Sequence, residues 1–416
     1  MVTTPITIVD PLTFEVRLPW SEFASNLRIV GGYGKPAQTG TALLAHEFDN
    51  GLQARMLLRP GAYPTSVEVT DSLGNREEDH NISIISGSLW VTVDTTGVHH
   101  LGATDVRLDR LLEPWDARTA TWALASESGG VQVPWSEPGG GAVERLRRLS
   151  WLPQGRDEIL IGIDSVDVAL LGDETVSERG LMVSIDNPGK LLHVPRVRME
   201  VHVVPSINED STLVVPVDVT DLTYVYTPLA PPPSDIHLRA GGAPAWRSLF
   251  TFALPPSLPA TGQVCVRTTC PVALTSARVN HASILLTTRP TDQAAFAPVD
   301  TMGVEVRGVL APELLPKSPV TGPLFVDSLG LPSGTAVPAE AFRPGASRVV
   351  EVPITPIVRS LLAGASFRGF RPTPTVALMQ LREPTSFGFA SFVGPGQAGE
   401  PVLRLVLTIS DPIGLP

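Results

Sequence analysis

Prolines and glycines interrupt this chain along its whole length. The 416 residues include 41 Pro and 36 Gly, which are spread between short runs rich in Val, Thr and Leu. Apolar and polar side chains alternate in many of these runs, and a period of two is typical of β-strands. Because turn residues follow each run so closely, there is little room for long helices. We therefore predict an all-β chain with many strands and only short helical turns.

The clearest alternation lies in the stretch from Ser88 to Trp122. In SLWVTVDTT, Leu89 and Val91 fall on one face of a strand and Trp90 falls on the other. A turn and a second alternating run, DVRLDRLL, come next, and a loop with two tryptophans closes the stretch. Two alternating runs around a turn predict an antiparallel hairpin. The three tryptophans of this stretch are predicted to pack in the core, because tryptophans are highly buried on average.

Other segments give local predictions of the same kind. Asn50-Gly51 between two apolar runs is the strongest short-range signal of a hairpin. The segment AVERLRRLSWL (142–152) has apolar residues three positions apart, which predicts one short amphipathic helix. A strand that runs into a short helix is predicted at 157–173 and again at 348–364.

The order of these elements repeats along the chain. The strand followed by a short helix occurs once in each half, and further strand-like runs flank both copies. A repeated order predicts two similar domains, which we expect to be tandem antiparallel jelly-roll-like β-sandwiches. The predicted divisions are an N-terminal arm or strand over 1–26, a first sandwich over 27–205 and a second over 206–416, with a polar linker at 205–214. An arm of this kind can pair with a sheet edge of a neighbouring subunit.

Three runs carry a family resemblance. Trp115-Asp-Ala-Arg-Thr-Ala-Thr-Trp122 follows a W-x-E-x-T-x-T-W pattern, except that Ala117 replaces the usual Glu. Pro195-Arg-Val-Arg-Met-Glu-Val201 and Arg247-Ser-Leu-Phe-Thr-Phe-Ala-Leu-Pro255 are similar to two strands of the same family. In these runs the chain resembles DNRLRE-type domains, which are β-sandwich modules related to some carbohydrate-binding modules. The resemblance implies two divergent tandem copies, and it implies carbohydrate binding as one function.

The charge of the chain argues against some partners. Its 42 acidic and 31 basic side chains give a net charge of −11. Residues 1–205 hold 17 basic and 27 acidic side chains and residues 206–416 hold 14 and 15, so neither half offers the basic surface that nucleic acid requires. No apolar run reaches the roughly 18 residues of a membrane span. The start of the chain lacks the charged and apolar regions of a secretion signal. We expect no nucleic acid partner, no membrane span, and synthesis in the cytoplasm without a signal peptide.

The two cysteines, Cys265 and Cys270, lie in GQVCVRTTCPV. On facing strands they could form a disulfide, and two buried free thiols are an equal alternative. Two thiols alone do not make a tetrahedral zinc site. The acidic loop at 70–81 lacks the spacing of an EF-hand, so a solvated loop is favoured over a calcium site. No metal or cofactor is expected.

The sequence offers no catalytic motif. It contains no G-x-S-x-G, no H-E-x-x-H and no array of Cys and His ligands, so the protein is not expected to be an enzyme. The candidate binding residues are aromatic side chains in loops, because flat sugar faces stack on aromatic rings. Trp135, in a Gly/Pro-rich loop, is the first candidate, as a stacking platform or as an interface anchor. Tyr33, between glycines, is the second, and a plain turn residue is its alternative.

Two sandwiches account for the whole chain and leave no residues for a catalytic domain. The favoured function is therefore a non-enzymatic structural protein of a large assembly, with a phage virion component (capsid decoration or tail) as the favoured class. Its partners would be other protein subunits of the same particle, and its location would be the virion. The alternative is a carbohydrate-binding protein that attaches to polysaccharide or cell-surface glycan.

Overall fold

The structure is a computed structural model of the chain. It describes residues 11–31, 37, 40–48, 51–70, 74–95, 102–153, 157–172, 176, 180–227, 237–242, 245–291, 296–314, 318–326, 328–331, 333–364, 374–381 and 388–409.

The chain divides into two compact units. The central unit comprises Lys35–Leu229, and the terminal unit comprises Met1–Gly34 together with Ala230–Pro416. The central unit is therefore an insertion in the sequence of the terminal unit. This division differs from the predicted tandem order, because strands near both ends of the chain pair within one unit.

The described residues form strands joined by turns and a few short helices. The strands, numbered in chain order, are β1 (Leu12–Pro19), β2 (Ala24–Val30), β3 (Ala42–Phe48), β4 (Leu52–Pro60), β5 (Val67–Thr70), β6 (Arg76–Asp79), β7 (Ile82–Thr92), β8 (Thr104–Leu111), β9 (Leu124–Ser128), β10 (Val131–Pro134), β11 (Val143–Trp151), β12 (Glu158–Ile163), β13 (Leu181–Ile185), β14 (Lys190–Val194), β15 (Arg196–Pro205), β16 (Leu213–Val217), β17 (Val219–Tyr226), β18 (Leu238–Gly241), β19 (Arg247–Phe252), β20 (Ser257–Leu258), β21 (Val272–Ala273), β22 (Val279–Thr287), β23 (Met302–Gly308), β24 (Thr335–Val337), β25 (Val349–Pro353), β26 (Thr375–Gln380), β27 (Phe389–Phe392) and β28 (Val402–Ile409). The helices are α1 (Trp20–Phe23), α2 (Ser165–Gly172), α3 (Gln263–Arg267) and α4 (Thr355–Ala363). Single 3₁₀ turns occur at Ser276–Arg278, Pro312–Leu314 and Ala339–Phe342.

The central unit contains two larger sheets. A seven-stranded sheet has the order β11-β8-β13-β4-β3-β14, with β17 also paired to β4. A four-stranded sheet has the order β12-β7-β15-β16. Buried and more exposed side chains alternate along the strands of each sheet, so one face of each sheet is apolar. Examples of the buried residues are Leu89 and Val91 of β7 and Val106 and Leu108 of β8. The short pairs β5-β6 and β9-β10 complete this unit.

The terminal unit is a β-sandwich. Its five-stranded sheet has the order β2-β19-β26-β23-β24, and its four-stranded sheet has the order β1-β28-β22-β25. One core cluster joins the two, with Phe250 and Val306 from the first sheet and Ile284 and Leu405 from the second. Two short pairs, β18-β27 and β20-β21, add to it.

The all-β prediction with short helical turns is confirmed. The described strand pairs are antiparallel in both units, and the longest described helix has nine residues. The hairpin predicted around Asn50-Gly51 is present as β3 and β4. Both predicted strand-then-helix elements are present, as β12-α2 and β25-α4.

The predicted hairpin of the Ser88–Trp122 stretch is wrong. Strand β7 pairs with β12 and β15, whereas β8 pairs with β11 and β13 in the other sheet. The connection between β7 and β8 therefore passes from one sheet to the other. Sequence alternation identified both strands correctly, but alternation carries no information on which strands pair.

The predicted helix at 142–152 is also wrong, because this segment is strand β11. It pairs with β8 from Val143↔Leu111 to Trp151↔Thr104. The register shifts between Arg145 and Arg147, which marks a β-bulge. A bulge inserts one extra residue and shifts the alternation, so apolar residues three positions apart fit a strand as well as a helix.

The predicted linker at 205–214 lies inside the central unit. Strand β16 pairs back onto β15, with Val203 opposite Leu213, so the intervening residues form a hairpin connection. The carboxylate of Asp79 accepts hydrogen bonds from the Ile207 amide (2.9 Å) and the Ser206 hydroxyl (3.1 Å). The Ile207 bond is the main cause that holds the pKa of Asp79 below its ordinary value. A segment fixed in this way is not a flexible linker.

The described part of the predicted N-terminal arm belongs to the terminal unit itself. Strand β1 pairs with β28 over eight residues, from Leu12↔Ile409 to Pro19↔Val402. Leu18 and Phe23 are buried in the same core cluster. Residues 1–10 lie outside the described part. The alternation of this segment therefore reports pairing within the chain rather than an arm held out to a neighbour.

Candidate functional site

Each unit has a long connection that folds over one face of its larger sheet. We call residues 112–142, between β8 and β11, the central covering segment. We call residues 309–334, between β23 and β24, the terminal covering segment. Apolar side chains of each segment form a cluster with side chains of the sheet: Trp115 and Trp135 with Leu57, Leu111, Met182 and Val225 in one unit, and Val309 and Val320 with Leu249 and Ala377 in the other.

Two arginines of β4 hold the central covering segment. Arg55 donates to the carbonyl of Gly139 (2.9 Å), and its guanidinium lies 5.0 Å from the ring centroid of Trp122. Arg59 donates to the carbonyl of Trp115 (3.0 Å), and its guanidinium lies 4.7 Å from the centre of that ring. A cation over an indole ring is attracted by the ring quadrupole. Each arginine therefore fixes one tryptophan and one backbone carbonyl of the segment.

Glu113 joins the two ends of the same segment. Its carboxylate accepts hydrogen bonds from the Ser136 amide (3.0 Å), the Ser136 hydroxyl and the Ala142 amide (2.6 Å). Burial acts to raise the pKa of Glu113, but these hydrogen bonds outweigh it and the pKa lies below its ordinary value. Gly141 packs so closely that a Cβ there would lie 2.5 Å from this carboxylate. The ionised carboxylate therefore joins the two ends of the segment and requires glycine at position 141. We call this set of hydrogen bonds the Glu113 latch.

The burial of several tryptophans differs from the prediction. Trp135 is only 5% exposed, and its indole Nε1 donates to the carbonyl of Thr121 (2.9 Å). The prediction that Trp135 is an exposed loop aromatic is wrong, because it fills the cluster under the central covering segment. Trp115 is buried, as predicted, whereas Trp122 and Trp90 are only partly buried. Tyr33, the second candidate, lies outside the described residues.

A two-stranded hairpin, β9-β10, extends from the central covering segment. Gly129 and Gly130 close it, with φ values of +57° and +84°. Positive φ at both turn residues is the signature of the tight hairpin turn whose twist matches the strands. All four residues of β10 are exposed, and Val131 and Val133 are 67% and 47% exposed.

The terminal covering segment is held by backbone hydrogen bonds and by aliphatic side chains. Leu310 donates to the carbonyl of Pro319 (2.9 Å), and Thr321 donates to the carbonyl of Gly308 (2.9 Å). The buried hydroxyl of Ser318 accepts from the amide of Ala311 (3.0 Å). Val320 packs against the sheet. These contacts join residues 309–311 to residues 318–321 and hold both against β23 and the sheet.

A buried carboxyl group lies beneath this segment. Glu305 of β23 is 4% exposed, and it is paired with Arg307 and accepts a hydrogen bond from the amide of Leu324. Burial raises the pKa of Glu305, and the opposing pull of Arg307 and Leu324 does not reverse the shift.

The outward side of the terminal covering segment is apolar. Its large exposed side chains are Leu310, Val326, Leu329 and Leu331, of which Leu329 is 80% exposed. Single exposed apolar residues are common, whereas contiguous apolar patches are typical of interaction surfaces, so these four residues are a candidate for one. We call these four residues the apolar rim.

The four-stranded sheet of the central unit has one mostly polar face, which we call the Trp90 face. The Trp90 Nε1 donates to Glu200 (2.8 Å), and the Arg198 guanidinium lies 4.5 Å from its ring centroid. Leu160 is half-exposed on the strand beside Trp90. Across the strands lie Ser86, Ser88, His202 and Gly162, with His202 bonded to Ser86 (2.8 Å) and with open space above Gly162.

A network of charged side chains covers one face of the four-stranded sheet of the terminal unit. Arg404 is paired with Glu15 (2.8 Å) on one side and with Glu351 (2.9 Å) on the other. Glu351 also accepts from Ser283 (2.7 Å) and contacts His281 (2.8 Å). The Ser283 hydrogen bond is the largest cause that lowers the pKa of Glu351 to about 2. Every charge in this network already has a partner within the protein. We therefore interpret it as a solvated sheet face and not as a binding site.

The two cysteines form a disulfide. Their Cα atoms are 5.4 Å apart, and Cys265 lies in α3 rather than on a strand. The free-thiol alternative therefore does not hold in this structure. Among the described residues no group of three His, Cys, Asp or Glu side chains could hold a metal ion. No helix in the described ranges has the length and apolar composition of a membrane-spanning segment.

Comparisons with known proteins add little. No family model matches this sequence, and no curated protein matches it. The chain is similar to the solved structure of infectious bursal disease virus, Gx strain, with 13% identity over 99% of this chain and 75% of that chain and a TM-score of 0.13. It is also similar to the structure of T=1 particles derived from infectious bursal virus, with 11% identity over 99% and 72% of the two chains and a TM-score of 0.13.

Proposed function

We propose that this protein is a non-enzymatic structural subunit of a large assembly, and that the apolar rim contacts a neighbouring subunit. In its finer form the proposal is a phage virion component, in the capsid decoration or the tail, with the virion as its location. The observation that carries it is the combination found in the terminal covering segment. The backbone of the segment is bonded to the sheet at Val309 and Thr321, and yet the segment exposes four large apolar side chains to the solvent.

That combination favours association for two reasons. Removing apolar surface from water stabilises a contact by about 25 cal/mol per Å². A segment that is already fixed loses little conformational entropy when it binds, so more of that gain remains as affinity. A mobile apolar loop would lose much of this gain, because binding would have to order it.

The nested order of the chain supports the same proposal. The central unit is inserted between β2 and β18 of the terminal unit, whose two sheets use strands from both ends of the chain. Each unit has its own apolar clusters. One unit can therefore serve assembly while the other presents a separate surface.

Leu329→Asp tests the proposal. We expect the variant to fold normally and to lose assembly, because a charge would have to be desolvated in the contact. Val266→Asp is the matched control, since Val266 is equally exposed on the same unit but lies on α3. Size-exclusion chromatography with light scattering reads out both. If Leu329→Asp assembles as the wild type does, or if both variants fail equally, the apolar rim is not the contact.

A second candidate function is glycan binding at the Trp90 face. It combines an aromatic ring, a carboxylate, an imidazole and two hydroxyls on one sheet face. Sugars need apolar contact for their ring faces and hydrogen-bonding groups for their hydroxyls. The resemblance to DNRLRE-type domains also supports this candidate.

Titration calorimetry against a panel of neutral polysaccharides tests the glycan candidate. Glu200→Gln should weaken binding, because an amide keeps the shape but loses the charged acceptor. Glu127→Gln on the hairpin β9-β10 is the control and should leave binding unchanged. If the wild type binds none of the panel, or if the two variants lose binding equally, this candidate is wrong.

A further inference from the structure

The disulfide lies in a short excursion of the terminal unit. Strands β20 and β21 pair with Leu258 opposite Val272, and the chain between them carries α3 and both cysteines. Leu258 and Leu274 are buried in the main core cluster of the unit, so the base of the excursion is fixed. We call residues 259–271 the disulfide loop.

The disulfide loop packs against the end of one strand pair. Its residue Val264 and the adjoining Val272 are buried with Ile409 in one small apolar cluster. Leu12 and Phe14 of β1 pack against this cluster. Leu12 and Ile409 also form the outermost pair of β1 and β28. The loop therefore covers the place where the first and the last described strands of the chain meet.

The helix in this loop is too short to be stable by itself. Helix α3 has five residues, and its N-cap position is Gly262, which has no side chain to cap it. Helices of this length are marginal in water because their nucleation is costly. The disulfide joins Cys265 of α3 to Cys270, five positions later, and so restricts the chain beside Val264. The packing of Val264 against β1 therefore depends on the disulfide.

A soluble thiol can reach this disulfide. Cys265 is exposed at the surface, whereas Cys270 is half-buried. Reduction proceeds by attack of a thiolate on one sulfur, which gives a mixed disulfide that a second thiol resolves. Two glutathione molecules supply two electrons and two protons in these steps. They leave as glutathione disulfide, and both cysteines become thiols.

We propose that the disulfide loop is a redox-sensitive clasp on the paired ends of β1 and β28. In the oxidised protein the loop holds Val264 over Leu12 and Ile409. Reduction by a small-molecule thiol such as glutathione frees the loop, and the first residues of β1 then open locally from β28. Disulfides persist in oxidising compartments and are kept reduced in the cytosol. The clasp therefore closes when the protein reaches an oxidising environment.

Hydrogen exchange read by mass spectrometry tests the clasp on the full chain. The oxidised wild type is compared with the wild type in reduced glutathione and with the double variant Cys265→Ser/Cys270→Ser. We expect the amides of residues 12–16 to exchange faster in both comparison samples, by up to about 40-fold, which corresponds to the closure entropy of a loop of about six residues. Val264→Ala keeps the disulfide but removes part of the contact, so it should accelerate the same amides without adding free thiols.

Val266→Ser is the matched control, because Val266 lies on the same helix but is 86% exposed. In its oxidised form this variant should exchange as the wild type does. Unchanged exchange at residues 12–16 after reduction would overturn the proposal. Equal acceleration in β23 and β26 would also overturn it, because the disulfide would then stabilise the whole terminal unit and not one strand end. A disulfide that resists glutathione, although the double variant opens, would contradict the redox response.

Discussion

The two covering segments are attached to their sheets by different kinds of contact. Both connect strands of the larger sheet of their unit, and both bury apolar side chains against one face of it. The central covering segment is held by two arginine–tryptophan pairs and by an ionised carboxylate that joins its ends. The terminal covering segment is held by backbone hydrogen bonds above a buried carboxyl group.

The difference concerns what each segment can present to a partner. The central segment directs its large aromatic side chains inward or beneath arginines, and its exposed large apolar side chains are Leu112 and the two valines of its hairpin. The terminal segment packs Val309, Val320 and Leu324 against its unit, and it leaves the four other large apolar side chains of the apolar rim exposed. These exposed side chains are the ones that the proposed contact with another protein would use.

The largest expected effect separates the two modes of attachment. Trp135→Ala should destabilise the central unit by about 3–5 kcal/mol, as expected for loss of a buried aromatic. Val320→Ala in the terminal segment should cost only about 1–2 kcal/mol, because it removes two methyl-sized groups. Denaturant midpoints of the two variants measure the comparison. Similar losses would mean that the terminal segment depends on apolar packing as much as the central one does.

Gly141→Ala tests how much the Glu113 latch contributes to the stability of the central unit. Gly141 has a φ of +70° and lies against the Glu113 carboxylate, so we expect a loss of about 2–3 kcal/mol. Gly130→Ala is the matched control, because Gly130 has a φ of +84° but open space around it. Its loss should be about 1 kcal/mol, which reflects backbone strain alone. Thermal unfolding of both variants decides whether the latch contributes, and equal losses would exclude it.

The smallest expected effect is a difference in pH dependence. Glu113 has a pKa below its ordinary value of 4.5, so its stabilisation is present above that pH and is lost as the pH falls through the folded pKa. Glu305 has a raised pKa, so its contribution is full below 4.5 and is lost as the pH rises through the folded pKa. Glu113→Gln should therefore reduce the acid loss of stability, and Glu305→Gln should reduce the loss on the alkaline side. The difference in unfolding midpoint between each variant and the wild type is followed from pH 3 to 8, and it would not change with pH if Glu113 and Glu305 have ordinary pKa values.

Local patterns predicted most strands, and they predicted fewer of the contacts. The alternation of Leu89, Val91 and Trp90 placed each side chain on the correct face of β7. The same alternation also showed Trp90 on the face opposite the buried residues, yet the preference of tryptophan for burial favoured the core. Pairing partners depend on residues distant in sequence, which explains why β7 and β8 were joined wrongly.

The insertion of one unit into the other was hidden for the same reason. A repeated order of elements suggests tandem domains, and it contains no signal that β1 pairs with β28. The exposure of Trp135 was predicted from the glycines and prolines around it, but those residues let the segment fold back onto the sheet. For the apolar rim a signal was available: Leu329 precedes Gly330, and Leu331 stands between Gly330 and Pro332, where an exposed turn is expected.

We propose that the protein works as one subunit among many. The mass of the native material, measured by light scattering for the wild type and for Leu329→Asp, tests this proposal. We expect a particle of many copies for the wild type and folded, much smaller species for the variant. A wild-type protein that remains a monomer at high concentration, with the same mass as the variant, would contradict it.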